Sequence, residues 1–284
     1  MNKLSRKDRA NILHLLCEGS SIRAITRLTG ASKNTVTKLV IDAGNACSWY
    51  QDRVFRNLTC KRVQVDEVWA FVHCKQKNVA KAKNAPRHAG DCWTWTAIDA
   101  DTKLIPSWYV GGRDSDAAIV FMDDLASRLA NRVQLTSDGH KAYLEAVEGA
   151  FGADIDYAML VKIYGNAPES MKGRYSPAEC IGAKKMRIEG KPDIDHVSTS
   201  YAERSNLNVR MHTRRFTRLT NGFSKKVENH AHSVALFAMY YNFVRVHKTL
   251  RVTPAMAANV TKRLWEMSDI VDVLEAWEAV ANAL

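Results

Sequence analysis

Three acidic residues stand where an acid needs a reason. Asp66 sits beside Glu67 inside VQVDEVWAFV, residues 63–72, a run dominated by β-branched and aromatic types. Such a run reads as a central strand covered on both faces. A buried, ionised carboxylate is costly there unless it is paired or binds a metal. Asp138 closes the strand pattern RVQLTSDG, and Glu203 opens the helical pattern YAERSNLNVRMHTRRFTR. Brought together on one sheet, three carboxylates repel one another, and divalent cations relieve that repulsion. Two hard ions held about 3.5–4 Å apart by carboxylates activate one phosphoryl oxygen and stabilise another.

Each acid also has a plainer explanation. Asp66 can pair with an arginine, and Asp138-Gly139 can be an ordinary turn. Ser200 and Glu203 have capping-box spacing. Glu67, Asp99, Asp101, Asp114, Asp116, Asp193 and Asp195 read as solvated, turn or capping residues. His73, Cys74, His88 and Cys92 fit no common zinc spacing. His140 and His247 are candidates for DNA contact, with a structural hydrogen bond as the plainer role for His247.

The elements that must position the acids follow a mixed order. Three strands (61–72, 93–101, 104–112) precede a helix capped by Ser115, the strand ending on Asp138, a second helix and a further strand, DYAMLVKIY. This order predicts an α/β fold with a mixed sheet flanked by helices, spanning residues 61–250. Residues 165–199 read as an irregular basic loop insertion carrying Lys184, Lys185 and Arg187. Helices fill the remainder. The 251–284 tail ends in a stretch with five acids and no base, able to dock on a basic partner or on its own chain.

Ahead of the sheet, residues 1–44 form an all-α domain of three short helices capped by Ser5, Ser21 and Ser32. The glycine-containing turn before the third helix makes a helix-turn-helix pattern. Lys33, Asn34, Thr35, Thr37 and Lys38 then lie on the side that reads DNA. The third helix is expected to end near Gly44, with a linker over 45–60. Charge agrees with a nucleic-acid partner: 41 basic against 30 acidic side chains leave +11, with a sequence pI near 9.4. The six scattered cysteines read as reduced thiols, and no stretch reads as a signal peptide or membrane span. A cytoplasmic, nucleoid-associated protein is the expectation.

VDEVWAFV, SDGHKAY and, above all, YAERSNLNVRMHTRRFTRLTNGFSKKVENH resemble a DDE transposase of the insertion sequence 1 family, over roughly residues 60–260. The segment YYNFVRVHKTLRVTPA is similar to a tail that follows the glutamate helix in many transposases and integrases. The resemblance implies an RNase H-like catalytic domain. It implies Asp66, Asp138 and Glu203 as catalytic and metal-binding residues for two Mg²⁺ ions, replaceable by Mn²⁺. It implies cleavage at the terminal inverted repeats of a mobile element, strand transfer into target double-stranded DNA, and a homo-oligomer of at least a dimer on DNA. Helical spacing places Asn206, Arg210 and Arg214 on the stripe of Glu203, as DNA-binding residues. The cysteine-rich zinc segment common near the N-terminus of that family is missing. A nuclease or integrase of the same fold, or a non-catalytic DNA-binding regulator, are the alternatives.

Overall fold

The computed structural model describes residues 4–165, 180–217 and 220–283. Its spine is β1 (Arg62–Val72), where Val63, Gln64 and Val65 are buried in succession because both faces are covered. On one side β1 pairs antiparallel with β2 (Gly90–Asp99), and β2 with β3 (Trp108–Gly111). On the other side it pairs parallel with β4 (Gln134–Asp138), then comes β5 (Asp156–Tyr164), parallel to β4, and β6 (Cys180–Glu189), antiparallel to β5. The order β3-β2-β1-β4-β5-β6 places a meander beside a parallel pair, the RNase H-like arrangement with one added edge strand.

One face of the sheet, with Val63, Val65 and Leu135, joins a core built from α4 (Ser115–Arg128), α5 (Ala142–Phe151) and the N- and C-terminal helices. The other face carries Gln64, Asp66, Val68 and Ala70. Val68 and Ala70 there meet Val209 of α6 (Ser200–His212) and Val234 and Phe237 of α7 (Val227–Met239). A π-helical turn, Tyr240–Val244, extends α7, followed by α8 (Pro254–Ala257) and α9 (Met267–Ala281).

The N-terminal helices are α1 (Arg6–Cys17), α2 (Ile22–Thr29) and α3 (Lys33–Val54), capped by the side chains of Ser5, Ser21 and Ser32 as expected. Gly30 takes the left-handed conformation (φ 74°) that lets the chain turn from α2 into α3.

Two expectations are corrected here. The third helix does not stop near Gly44 but runs to Val54, through most of the expected linker. Gly44 is a packing residue: a Cβ there would collide with His232 of α7, so its lack of a side chain brings the two helices together. Lys184, Lys185 and Arg187 lie on strand β6, not in a loop; residues 166–179 of that expected insertion fall outside the described residues. The acidic α9 docks on its own chain, where Asp272 accepts from Arg6 at 2.7 Å and Glu275 pairs with Arg9.

Candidate active site

Register fixes the two aspartates. Pairing between β1 and β4 runs from Arg62↔Gln134 to Gln64↔Thr136. Asp66 and Asp138 each lie two residues further on, so they share a face at matching heights where the parallel pairing has ended. Open α/β sheets form ligand crevices where the strand order switches sides, beyond the carboxyl ends of the strands, and the order switches between β1 and β4. Here the crevice is a cavity of about 640 Å³ whose walls include Asp66, Asp138, Lys162, Thr199, Glu203 and Arg113.

The helix that brings Glu203 is seated by a residue on the same face of β1. Gln64 Oε1 accepts the backbone N–H groups of Tyr201 (2.8 Å) and Ala202 (3.3 Å), satisfying two otherwise unpaired donors in the first turn of α6. The Ser200–Glu203 capping box does not form, because Ser200 lies inside the helix and Thr199 precedes it. Glu203 Oε1 instead accepts from the Thr199 hydroxyl and the Lys162 ammonium, both at 2.6 Å. Burial pushes this carboxyl up, but those two hydrogen bonds outweigh it and leave it below its usual range.

Asp66 is held at both oxygens. Oδ1 accepts the Glu67 N–H at 2.8 Å, and Oδ2 accepts the Asn206 amide at 2.8 Å. Burial pushes its carboxyl up to about 6, helped by the charges of Asp138 and Glu203 and opposed by the backbone bond and Lys162. Asp138 Oδ1 accepts the His140 N–H at 2.8 Å, so the Asp138-Gly139 turn and the site share one residue.

Glu67 overturns its reading as a solvated, turn or capping residue. Its side chain is 1% exposed and bridged by Arg113 at 3.2 Å, while Arg113 also reaches Asp138 at 3.8 Å. Burial pushes Glu67 up to about 7; Asp138 and Asp66 add to this, and Arg113 opposes it. Glu67 Oε1 is buried with no hydrogen-bond partner among the described residues. Oxygens of Asp66, Glu67 and Asp138 lie within 4.8 Å of one another, forming the only candidate metal-binding group among the described residues. Three carboxylates, one with an orphaned oxygen and two with raised pKa values, fit a hard divalent cation with oxygen ligands. Glu203 lines the same cavity but is not in this group, because Lys162 and Thr199 hold its carboxylate.

The expected DNA stripe on α6 is also redrawn. Asn206 faces inward, its amide spent on Asp66. Arg210 donates to the carbonyls of Trp69 (3.2 Å) and Phe216 (3.4 Å), which ties α6 to β1. Arg214 falls after the helix, in a 3-10 turn, and lines a different cavity. Lys33, Asn34, Thr35 and Lys38 are exposed at the start of α3, with Lys38 paired to Asp42; Thr37 is half-buried and donates to Lys33 O at 2.9 Å. His140 is half-buried against Trp95 and Tyr143, and His247 Nδ1 shares a hydrogen bond with Thr249. All six cysteines are free, and His73, Cys74, His88 and Cys92 form no metal group. Among the described residues no helix is long and apolar enough to cross a membrane.

Gln64 had one signal in the sequence: a polar residue inside an apolar run, two positions before Asp66. Arg113 and Lys162 had none, since only the fold brings them to the cavity.

No protein-family model matches the chain, and no curated protein is similar enough to count as a relative. Among solved structures, the chain is similar to the piggyBac transposase in a synaptic complex with hairpin DNA. The TM-score is 0.44 at 10% identity, over 96% of this chain and 71% of that one. A second likeness is to the Mos1 transposase in a paired-end complex with the left transposon end, with a TM-score of 0.23 at 13% identity, over 55% and 60% of the two chains.

Proposed function

We propose that this chain is a metal-dependent DNA transposase of the DDE type, which cuts at the ends of a mobile element and joins them to target DNA. The observation that carries the reading is the convergence of Asp66, Asp138 and Glu203 on one open cavity, from two neighbouring parallel strands and the helix across them. These are also the acids of the transposase-like motifs, in a chain of net charge +11.

Asp66 and Asp138, with Glu67 beneath them, would hold a divalent cation such as Mg²⁺, and Glu203 would join them on release from Lys162. A bound cation supplies charge neutralisation and Lewis-acid activation for phosphodiester chemistry. The protein's own part is positional and electrostatic. Asn206 and the Glu67 N–H fix the rotamer of Asp66, and Gln64 holds Glu203 over the sheet. Lys162 and Arg113 place positive charge on the cavity wall, where a phosphodiester carries its negative charge. Joining two ends requires both to be held at once, so the working assembly would contain at least two copies.

The test uses purified protein, Mg²⁺, a target plasmid and labelled duplexes taken from the DNA flanking the gene. Nicked and joined products are expected. Asp66→Asn or Asp138→Asn should lower both by roughly 10²–10³-fold, the scale of losing one preorganised electrostatic group, with duplex binding retained. Near-normal joining by either variant would sink the assignment. Cutting without joining would point to a nuclease of the same fold.

A further inference from the structure

A second cavity, of about 680 Å³, lies away from the carboxylates. Its walls come from the start of α2, the start of α3, the end of α6 with the turn after it, and α7 with the segment before it. The parts are locked together. Gly19 lies so close to α6 that a Cβ would sit 2.7 Å from Met211 O, and His212 Nδ1 is 3.0 Å from Cys17 O.

The charge of this cleft is one-sided. Arg23, Lys33, Arg214, Arg215 and Lys225 line it, and no wall residue is Asp or Glu. Among the described residues none of these five pairs with a carboxylate, whereas Arg6, Arg62, Arg128, Arg132 and Arg263 each do. Arg214 Nε is buried with no hydrogen-bond partner among the described residues. Arg215 donates to Ser224 Oγ at 2.9 Å, and burial pulls its guanidinium down to about 10. The positive end of α2 faces the same space. Arg214 and Arg215, drawn into the wall without counter-ions, are costly to keep charged, and an anion in the cleft would offset that cost while Arg23, Lys33 and Lys225 add to the field at its mouth.

Position selects the anion. The cleft lies at the far end of α6 from Glu203. His212 lies nine helical steps beyond Glu203, which is ~14 Å at a rise of 1.5 Å per residue. At 3.4 Å per nucleotide along a strand, that distance corresponds to about four nucleotides. The cleft also adjoins the exposed first turn of α3.

We propose that this cleft is a second DNA site, seating backbone phosphates about four nucleotides from the bond held over Asp66 and Asp138; it rests on reading the first cavity as the strand-cutting site. It binds phosphate without reading sequence and links the helix-turn-helix to the carboxylates along one strand.

The test measures duplex binding by the full chain without metal, across a salt series. Arg23→Gln with Lys225→Gln removes two exposed cations from opposite walls, and Lys7→Gln with Lys262→Gln is the charge-matched control outside the cleft. The plot of log affinity against log salt should become shallower by about 2 for the cleft pair, near 0.9 per lost phosphate contact, and should hardly change for the control. Singly uncharged methylphosphonate linkages should weaken wild-type binding most about four nucleotides from the cut, with that dependence lost in the cleft pair. Arg214→Gln should act in the same direction, with a melting curve to confirm folding. An unchanged slope in the cleft pair, or an equal loss in the control, overturns the proposal, as does a cleft that takes an acidic peptide but not DNA. Because binding is read without metal, loss of the strand-cutting assignment would show separately, as Asp66→Asn retaining cleavage.

Discussion

Asp66 and Glu67 are neighbours on one strand, yet oxygens of both reach within 4.8 Å of Asp138. Their carboxyls are pushed up to about 6 and about 7, mainly by burial. Unfolded, the same groups titrate near 3.9 and 4.3. Between roughly pH 4 and 7 the folded chain therefore binds protons that the unfolded chain has released, and its stability from these groups falls as pH rises. Metal-free protein should melt at a lower temperature at pH 8 than at pH 5 on this account, and Mg²⁺ should recover much of the loss at pH 8. Glu67→Gln should flatten the upper part of the pH dependence. A melting temperature that ignores both pH and Mg²⁺ would contradict the cluster. Arg210 calls for the opposite reading to the one its helical stripe suggests. With its guanidinium on the carbonyls of Trp69 and Phe216, Arg210→Ala should cost about 1–3 kcal/mol of stability and leave duplex affinity nearly unchanged. Reduced affinity with an unaltered melting curve would return it to the DNA. Spacing places a side chain on a helix face, but not on one partner among several within reach; the sequence could therefore bring Asp66 and Asp138 to one end of the sheet but could not foresee that Arg210 meets the carbonyls of Trp69 and Phe216.

Strand and helix types were largely legible because the apolar periodicities were strong; the failures came where one residue type serves two purposes. Gly44 has the composition of a helix end, but its service is close approach to α7, which no local pattern displays. On β6, Lys184, Lys185 and Arg187 interrupt the apolar alternation, and exposed charge along an edge strand also discourages unwanted pairing. The most consequential element for the site is α6, whose first turn hangs on Gln64. Gln64→Ala removes both acceptor contacts and should destabilise the fold by about 1–2 kcal/mol, the scale of a lost helix cap. Glu203 should lose its fixed place over the sheet, so cleavage should fall further than stability alone accounts for. Gln64→Glu keeps the acceptor but buries a further carboxylate two residues from Asp66, so it should hold α6 better at pH 5 than at pH 8. Equal stability for Gln64→Ala and wild type, from denaturant melts, would show that α6 is held elsewhere.

At the scale of the whole molecule, sequence patterning suggests a reading head tethered to a catalytic body, whereas the packing joins them. Ile12, Leu13, Ile25, Val36 and Cys47 from the first three helices belong to the same buried cluster as Val63 and Leu135 of the sheet and Ile270 and Leu274 of α9. α3 crosses the expected linker without a break, and Arg6 and Arg9 of α1 hold Asp272 and Glu275 of α9. A helical domain on a flexible linker could be removed with its DNA preference while the remainder kept its fold. Here, removing residues 1–44 would expose the sheet-side core and strip α9 of its ionic partners. The truncated chain should therefore aggregate or lose its cooperative melt, and the intact chain should unfold in one transition by both near-ultraviolet circular dichroism and calorimetry. Exchange of amide hydrogens gives the finer check: amides in the middle of α3 should be protected to the same free energy as those of β1, since local units that share a core open together. Protection of α3 well below that of β1, or a truncated protein with an unchanged melting temperature, would restore the tethered arrangement and leave the basic cleft between α2, α3 and α6 without the rigid walls it needs.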